Sequence, residues 1–322
     1  LRVVSLVPSA TEILCALGAA DLLVGRSHEC DWPASILGVP MLTGARTHAG
    51  DAPGAIDAMV RTEMAEGRGL YTLDAALLTQ LRPDVILTQD LCGVCSIDVD
   101  AVRRVASSLR PEPRVVSLNP KGFEDMLEDV LRVGEAIGLT GRAQEVLLGL
   151  RARFYGACDY VNAYAEGPSV AFLEWTDPLF IGGHWTPQLI ERAGGRHPLN
   201  PSVAVSTAGA GAGPAGMTLR GAGPSVTVPP AVLAASRPDA LIIAPCGRSL
   251  AQAGEDARAL SAQPWWGDLP AVRRGKVALV DGNQFFNRPG PRLVDAFEWL
   301  VGWLNDRPEL IPQGFAWRPW SG

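Results

Sequence analysis

Leu81-Arg82-Pro83-Asp84-Val85-Ile86-Leu87-Thr88-Gln89-Asp90-Leu91-Cys92-Gly93-Val94-Cys95 is the stretch that decides the fold class. Its centre is a short apolar run behind a proline, the pattern of a strand buried on both faces. That run is spent at Thr88, after which the chain delivers an amide, a carboxylate and two thiols. In an open parallel sheet, ligands sit in the loops beyond the carboxyl ends of the strands. The same grammar returns as Arg237-Pro238-Asp239-Ala240-Leu241-Ile242-Ile243-Ala244-Pro245-Cys246-Gly247, and Arg2-Val3-Val4-Ser5-Leu6 recurs letter for letter as Arg114-Val115-Val116-Ser117-Leu118. These echoes predict an α/β protein of two related parallel-sheet lobes whose strand-end loops face one another.

Upstream, residues 2–7 read as the first strand, and Ser9-x-x-Glu12 reads as a capping box opening a helix over Ala10–Leu17. Gly18 is placed to end that helix in the left-handed conformation. The turn at Pro8 and Ser9 would aim backbone N–H groups at the strand ends, a site for anionic or carbonyl oxygens. Plain helix capping explains the same residues without a ligand. A second strand over Leu22–Gly25 runs into Arg26-Ser27-His28-Glu29-Cys30-Asp31-Trp32-Pro33, the densest group of reactive side chains in the chain. Any one of them is ordinary in a core or an exposed loop. Five consecutive ones at a strand end read as a binding loop. Residues 45–69 read as a polar connection plus a helix, Tyr71–Leu81 as a second helix, and Val99–Leu109 as a third.

From Pro120 the period changes. Phe123, Met126, Leu127, Val130 and Leu131, then Val146, Leu147, Leu150 and Phe154, mark apolar faces at helical spacing. The chain therefore divides into an α/β lobe over 1–119, a helical connector over 120–166 and a second α/β lobe over 167–322. No Gly/Ser linker joins them, so the connector is expected to limit hinge opening. Residues 205–225 are Gly/Ala/Pro-rich and read as a flexible surface insertion. In the second lobe the strand-end loops carry Trp175, Phe180, His184, Trp185, Cys246, Phe285 and Phe286.

Composition narrows the function. At 322 residues the chain can bury two cores. A net charge of −6 with no Lys/Arg-rich run argues against nucleic acid as a partner. No apolar stretch reaches the roughly 18 residues of a membrane span. The chain opens directly on a strand, with no signal segment before it, which together with the thiol-rich loops gives an expectation of a cytoplasmic protein. The six cysteines are not a disulfide scaffold in a chain this long. Cys15 and Cys158 read as core residues. There is no phosphate-binding G-x-x-x-x-G-K-[ST], no G-x-G-x-x-G after a strand, no H-E-x-x-H and no G-x-S-x-G. With four histidines, acid/base capacity is small, and binding without chemistry is expected.

The strand-end loops supply flat aromatic surface and soft ligands. Trp32, Trp175, Trp185, Phe180, Phe285 and Phe286 suit a broad apolar cleft for a large ligand. Trp265, Trp266, Trp299 and Trp303 read as core. Cys30, Cys92, Cys95 and Cys246 with His28 and His184 form a thiolate–imidazole set that selects zinc, iron or a macrocycle-bound metal. The alternative reading is thus a metalloprotein or metal-dependent enzyme holding zinc or iron, and Cys92-x-x-Cys95 also reads as a redox pair. Free thiols that only shape the pocket remain the bland explanation.

At this point the chain resembles a known family. Arg2-Val3-Val4-Ser5-Leu6-Val7-Pro8-Ser9-Ala10-Thr11-Glu12, the Pro83-Asp84-Val85-Ile86-Leu87 strand and the helical connector are similar to the helical-backbone, or class III, periplasmic binding proteins. Within that family the N-terminal motif looks like the cobalamin-binding branch. The resemblance implies two Rossmann-like lobes, with cobalamin or a related corrinoid held edge-in between them and pressed by Trp32 and by Trp175 or Trp185. From their places at the strand ends, Pro8, Ser9, His28 to Trp32, Gln89, Asp90, Leu91 and Cys92 are expected to face such a ligand. Transport members dock on an ABC permease through a glutamate on each lobe. The matching positions here are Asp74 and Pro229/Pro230, neither a glutamate, so a monomeric carrier or sensor is expected beside the uptake-type role.

Overall fold

The computed structural model describes residues 1–46, 51–66, 69–90, 99–162, 164–204 and 220–322. In chain order the first lobe contains β1 (Val3–Ser5), α1 (Pro8–Ala16), β2 (Leu23–Arg26), β3 (Thr43–Ala45), α2 (Pro53–Ala65), β4 (Tyr71–Leu73), α3 (Ala75–Leu81), β5 (Val85–Thr88), α4 (Val99–Ser108) and β6 (Arg114–Ser117). Its main sheet has the order β2-β1-β5-β6 with every pair parallel. β5 is buried along its whole length, as its unbroken apolar run requires. The identical Arg-Val-Val-Ser stretches are β1 and β6, which flank β5 in this one sheet, so that echo does not relate one lobe to the other.

Two local expectations are corrected. Helix α1 begins at Pro8, with Val7 as its N-cap and no side-chain capping bond. Proline's fixed φ suits the first helical position, so the helix starts two residues early and Ser9 lies inside it. The helix does end as expected, with Gly18 at φ +74° and the Gly18 and Ala19 N–H groups donating to the Cys15 and Leu14 carbonyls. Residues 71–81 are not one helix. Tyr71–Leu73 pairs antiparallel with Thr43–Ala45, and Asp74 then caps α3 by accepting from the Leu77 N–H at 2.8 Å. The β3–β4 ribbon carries α2 at its far end.

The connector is α5 (Phe123–Ala136), a turn through Gly138, and α6 (Thr140–Cys158). The second lobe follows with β7 (Val170–Thr176), β8 (Leu179–Ile181), α7 (Thr186–Arg192), β9 (Val203–Ala204), β10 (Arg220–Gly221), β11 (Val226–Thr227), α8 (Pro230–Ser236), β12 (Ala240–Ile243), α9 (Leu250–Ser261), α10 (Pro270–Arg273), β13 (Val277–Val280), α11 (Leu293–Leu304) and β14 (Trp317–Pro319). Its main sheet runs β11-β8-β7-β12-β13-β14. β7, β12 and β13 pair in parallel, β8 and β14 flank them antiparallel, and β11 pairs antiparallel with β8 and so runs in the direction of β7. The two-residue turn Asp177-Pro178 permits only an antiparallel return, which is why β8 runs against β7. The expected insertion at 205–225 lies outside the described residues as far as 219; β10 falls near its end, and β11 begins directly after it.

The Arg-Pro-Asp echo is the one that relates the lobes. Helices α3 and α8 both end on an arginine at φ +45°, Arg82 and Arg237. Asp84 then accepts from the Arg2 N–H at 2.7 Å, and Asp239 from the Ser169 N–H at 3.0 Å. Each aspartate pins the start of the neighbouring parallel strand, which fixes where both strands end and hence where the strand-end loops begin.

One apolar core runs through the molecule. It includes Val3 and Ile13 of the first lobe, Met126 and Leu150 of the connector, and Phe172, Phe297 and Trp299 of the second lobe. Phe154 stacks on Phe123 at 3.9 Å and on Phe297 at 4.0 Å between ring centroids. The lobes thus share packed side chains, with helix rather than linker between them.

Candidate functional site

The parallel strands end on facing edges, and the loops that follow them meet. After β2 come His28 to Trp32; after β13 come Asn283 to Arg292. Arg288 Nη1 lies 2.6 Å from Asp31 Oδ1, Asn283 Nδ2 donates to Asp31 Oδ2 at 2.8 Å, and Arg288 Nη2 donates to the Glu29 carbonyl at 3.0 Å. Deeper in, Arg292 grips Glu12 with two charge-assisted bonds of 3.1 and 2.5 Å, and Arg288 stands 3.7 Å from the same carboxylate. Glu12 is 1% exposed. Burial raises its pKa while the two arginines pull it down. Asp31 is also pushed up by burial, but Arg288 and Asn283 outweigh that and hold it below the usual carboxylate range. This polar floor joins residues more than 250 positions apart.

Above the floor, Trp32 keeps 39% of its surface exposed while the Arg292 guanidinium sits 4.4 Å from its ring centroid. The cation holds one side of the indole, and exposed ring area remains for a flat ligand. Beside it, the His28 ring lies 5.2 Å from that of Tyr71, and the Tyr71 hydroxyl donates to Glu29 Oε1 at 2.9 Å. His28 Nδ1 is 2.7 Å from the Thr43 hydroxyl, which turns Nε2 towards Glu29 Oε1, 4.0 Å away. Burial, opposed by Glu29 and reinforced by Arg26, keeps the imidazole below its ordinary pKa, so it is neutral near pH 7.

The other expected residues divide by burial. Pro8 and Ser9 are buried in the first turn of α1. Cys30 is 1% exposed, 3.0 Å from the Thr11 hydroxyl, with its thiol pushed up to about 11 by burial, so it belongs to the first lobe's core. Gln89 is buried, and Asp90 is exposed with its N–H donating to Asn119 Oδ1. Leu91, Cys92 and Cys95 lie outside the described residues. Trp175 and Phe180 are half-buried and face each other across the β7–β8 hairpin. Trp185, Phe285 and Phe286 are core residues: Trp185 donates to the Phe286 carbonyl at 2.6 Å, and the Phe285 ring lies tilted against that of Phe315, 4.0 Å between centroids. The alternation of buried and open positions in short loops cannot be seen in composition, so these three aromatics looked the same as Trp32. His184 sits at φ +54° with its N–H on the Gly223 carbonyl, and Cys246 is half-buried with its N–H on the Glu174 carbonyl. Among the described residues, no three His, Cys, Asp or Glu side chains gather as metal ligands.

Sequence reasoning did not single out Glu12 as an ion-pair partner, nor Tyr71, Arg288 or Arg292. The available signal was charge: two acids in the 29–31 loop, and two arginines four apart in the 283–292 loop.

No family model matches the chain, and no curated protein matches it. Solved structures do. The periplasmic vitamin B12 binding protein BtuF of Vibrio cholerae superposes with a TM-score of 0.64 at 17% identity, covering 96% of this chain and 98% of that one. The periplasmic haem-binding protein RhuT from Roseiflexus sp. RS-1, in apo form, gives 0.67 at 20% identity, covering 95% and 98%. The periplasmic haem binding protein HutB of Vibrio cholerae gives 0.66 at 18% identity, covering 97% and 99%. The chain has the two-lobe α/β fold of the class III periplasmic binding proteins. These neighbours are binding proteins, in keeping with the expectation of a protein that is not an enzyme. They also overturn the expectation of a cytoplasmic protein, because they are periplasmic. That expectation leaned on thiols as cleft residues, and Cys30 is instead sealed in a core, out of reach of oxidants.

Proposed function

We propose that this chain reversibly binds a tetrapyrrole-sized ligand between its lobes as the solute-binding member of an uptake system, cobalamin or a related corrinoid first. The observation that carries the reading is the meeting of the two sets of strand-end loops, with Trp32 half open above an ion-paired floor. A corrinoid edge needs broad apolar contact with a few polar anchors, which this arrangement supplies. A permease partner would have to dock otherwise than through acids at the matched helix starts. Asp74 is engaged in capping its own helix, and Pro229 and Pro230 carry no charge.

A specific observation favours haem as a second reading. A neutral imidazole and a phenol lie side by side at the cleft, and both are side chains that ligate haem iron. Titration with hydroxocobalamin and, separately, with hemin separates the readings. For a corrinoid, the corrin absorption bands shift and tryptophan fluorescence falls. For haem, the hemin bands shift and Tyr71→Phe changes them. Trp32→Ala should weaken the bound ligand roughly tenfold, the scale of a lost aromatic contact, with the melting temperature unchanged. If neither ligand alters any spectrum, the proposal is wrong.

A further inference from the structure

Helix α2 buries none of its residues, yet it does not hang free. It is carried on the β3–β4 ribbon of the first lobe and reaches across to the strand-end loops of the second. Among the described residues, two contacts with the second lobe stand out. Arg248 Nη1 donates to the Asp51 carbonyl at 3.0 Å, just before α2 begins. Arg248 is itself 4% exposed and fixed by Asp256, at 2.7 Å from Nε to Oδ2 and 2.9 Å from Nη2 to Oδ1. The arginine is therefore a rigid post. The second contact is at Gly54, in the first turn of α2, where an added Cβ would come within 2.4 Å of Asp177 Oδ2. A carboxylate from the second lobe thus abuts the helix end at which backbone N–H groups and the helix dipole favour negative charge. Only glycine lets it approach so closely.

Asp177 lies in the β7–β8 turn, and its carbonyl accepts from Trp175 Nε1 at 3.0 Å. The turn that touches α2 therefore also positions one of the half-buried aromatics of the ligand cleft. On the inner side of α2, Ile56, Met59 and Val60 are half-buried.

We propose that α2 is a lid over the inter-lobe cleft, latched to the second lobe by Asp177 at its N-terminus and by Arg248 on the Asp51 carbonyl, and that release of the latch sets the rate at which ligand leaves. The inference rests on the binding reading above for its ligand and on the α2 contacts alone for its latch.

The two parts are tested separately. In the ligand-free protein, Asp177→Ala should speed amide hydrogen exchange of residues 53–65, and unchanged exchange overturns the latch. Gly54→Ala should do the same in the parent chain but add little in the Asp177→Ala background, because the clash is gone; equal, additive effects also overturn it. With hydroxocobalamin or hemin bound, Asp177→Ala should raise the dissociation rate roughly two- to fivefold, the scale of a carboxylate at a helix end. A dissociation rate unchanged while α2 exchanges faster overturns the lid and leaves α2 a prop. Faster exchange with neither probe bound by the parent chain overturns the binding reading and upholds the latch.

Discussion

His197 is 1% exposed, and its Nδ1 is 2.9 Å from the Asn200 carbonyl. That contact requires Nδ1 to carry the proton, which leaves Nε2 as a bare, buried acceptor. Protonating it would bury a charge, and burial accordingly lowers the pKa to about 4. The folded value lies below the ordinary one near 6.5, so the unfolded chain binds the extra proton first. The contribution to stability is complete above pH 6.5 and is lost as pH falls towards 4. His197→Gln should shrink the difference in unfolding free energy between pH 7 and pH 4.5 by about 2–3 kcal/mol, measured by urea titration at both. Neither this role nor that of Glu12 was legible in the sequence. Ser9-x-x-Glu12 has the spacing of a local cap, and spacing carries no sign of an arginine 280 residues away. The loop holding His28, Asp31 and Trp32 stood out as a candidate because a run of reactive side chains at a strand end has few purely structural reasons to exist.

Among the elements, the paired αL arginines give a sharp comparison. Arg82 and Arg237 occupy a conformation in which a Cβ is crowded, and both side chains are exposed. Arg82→Gly and Arg237→Gly should each stabilise the fold, by roughly 0.5–1 kcal/mol after glycine's greater unfolded freedom is counted, seen as a higher melting temperature. The strands they precede were readable because a doubly buried strand is a continuous apolar run. β4, β8 and β14 were not, since three residues hold too little alternation to set a period, and each is made a strand by its partner rather than by its own side chains. Tyr71 was missed for that reason, lying in a segment whose downstream half is helical.

Across the whole molecule the connector decides the mechanics. Its apolar faces at helical spacing announced two helices, while the sequence could not show that the same rings fill both lobes. Phe154→Ala removes the ring between Phe123 and Phe297 and should cost about 3–5 kcal/mol. Because the core is continuous, unfolding followed by tryptophan fluorescence, which weights the Trp-rich second lobe, and by far-ultraviolet dichroism should shift together; separate midpoints would show lobes that melt independently.

The Phe123–Phe154–Phe297 stack also limits how such a molecule can yield to a guest. Swinging the halves apart on a joint would have to shear rings stacked 3.9 and 4.0 Å from one another, a solid keel of aromatic contact. Movement is left to what lies at the mouth, and a helix borne on a thin two-stranded stalk bends at far smaller cost than a keel.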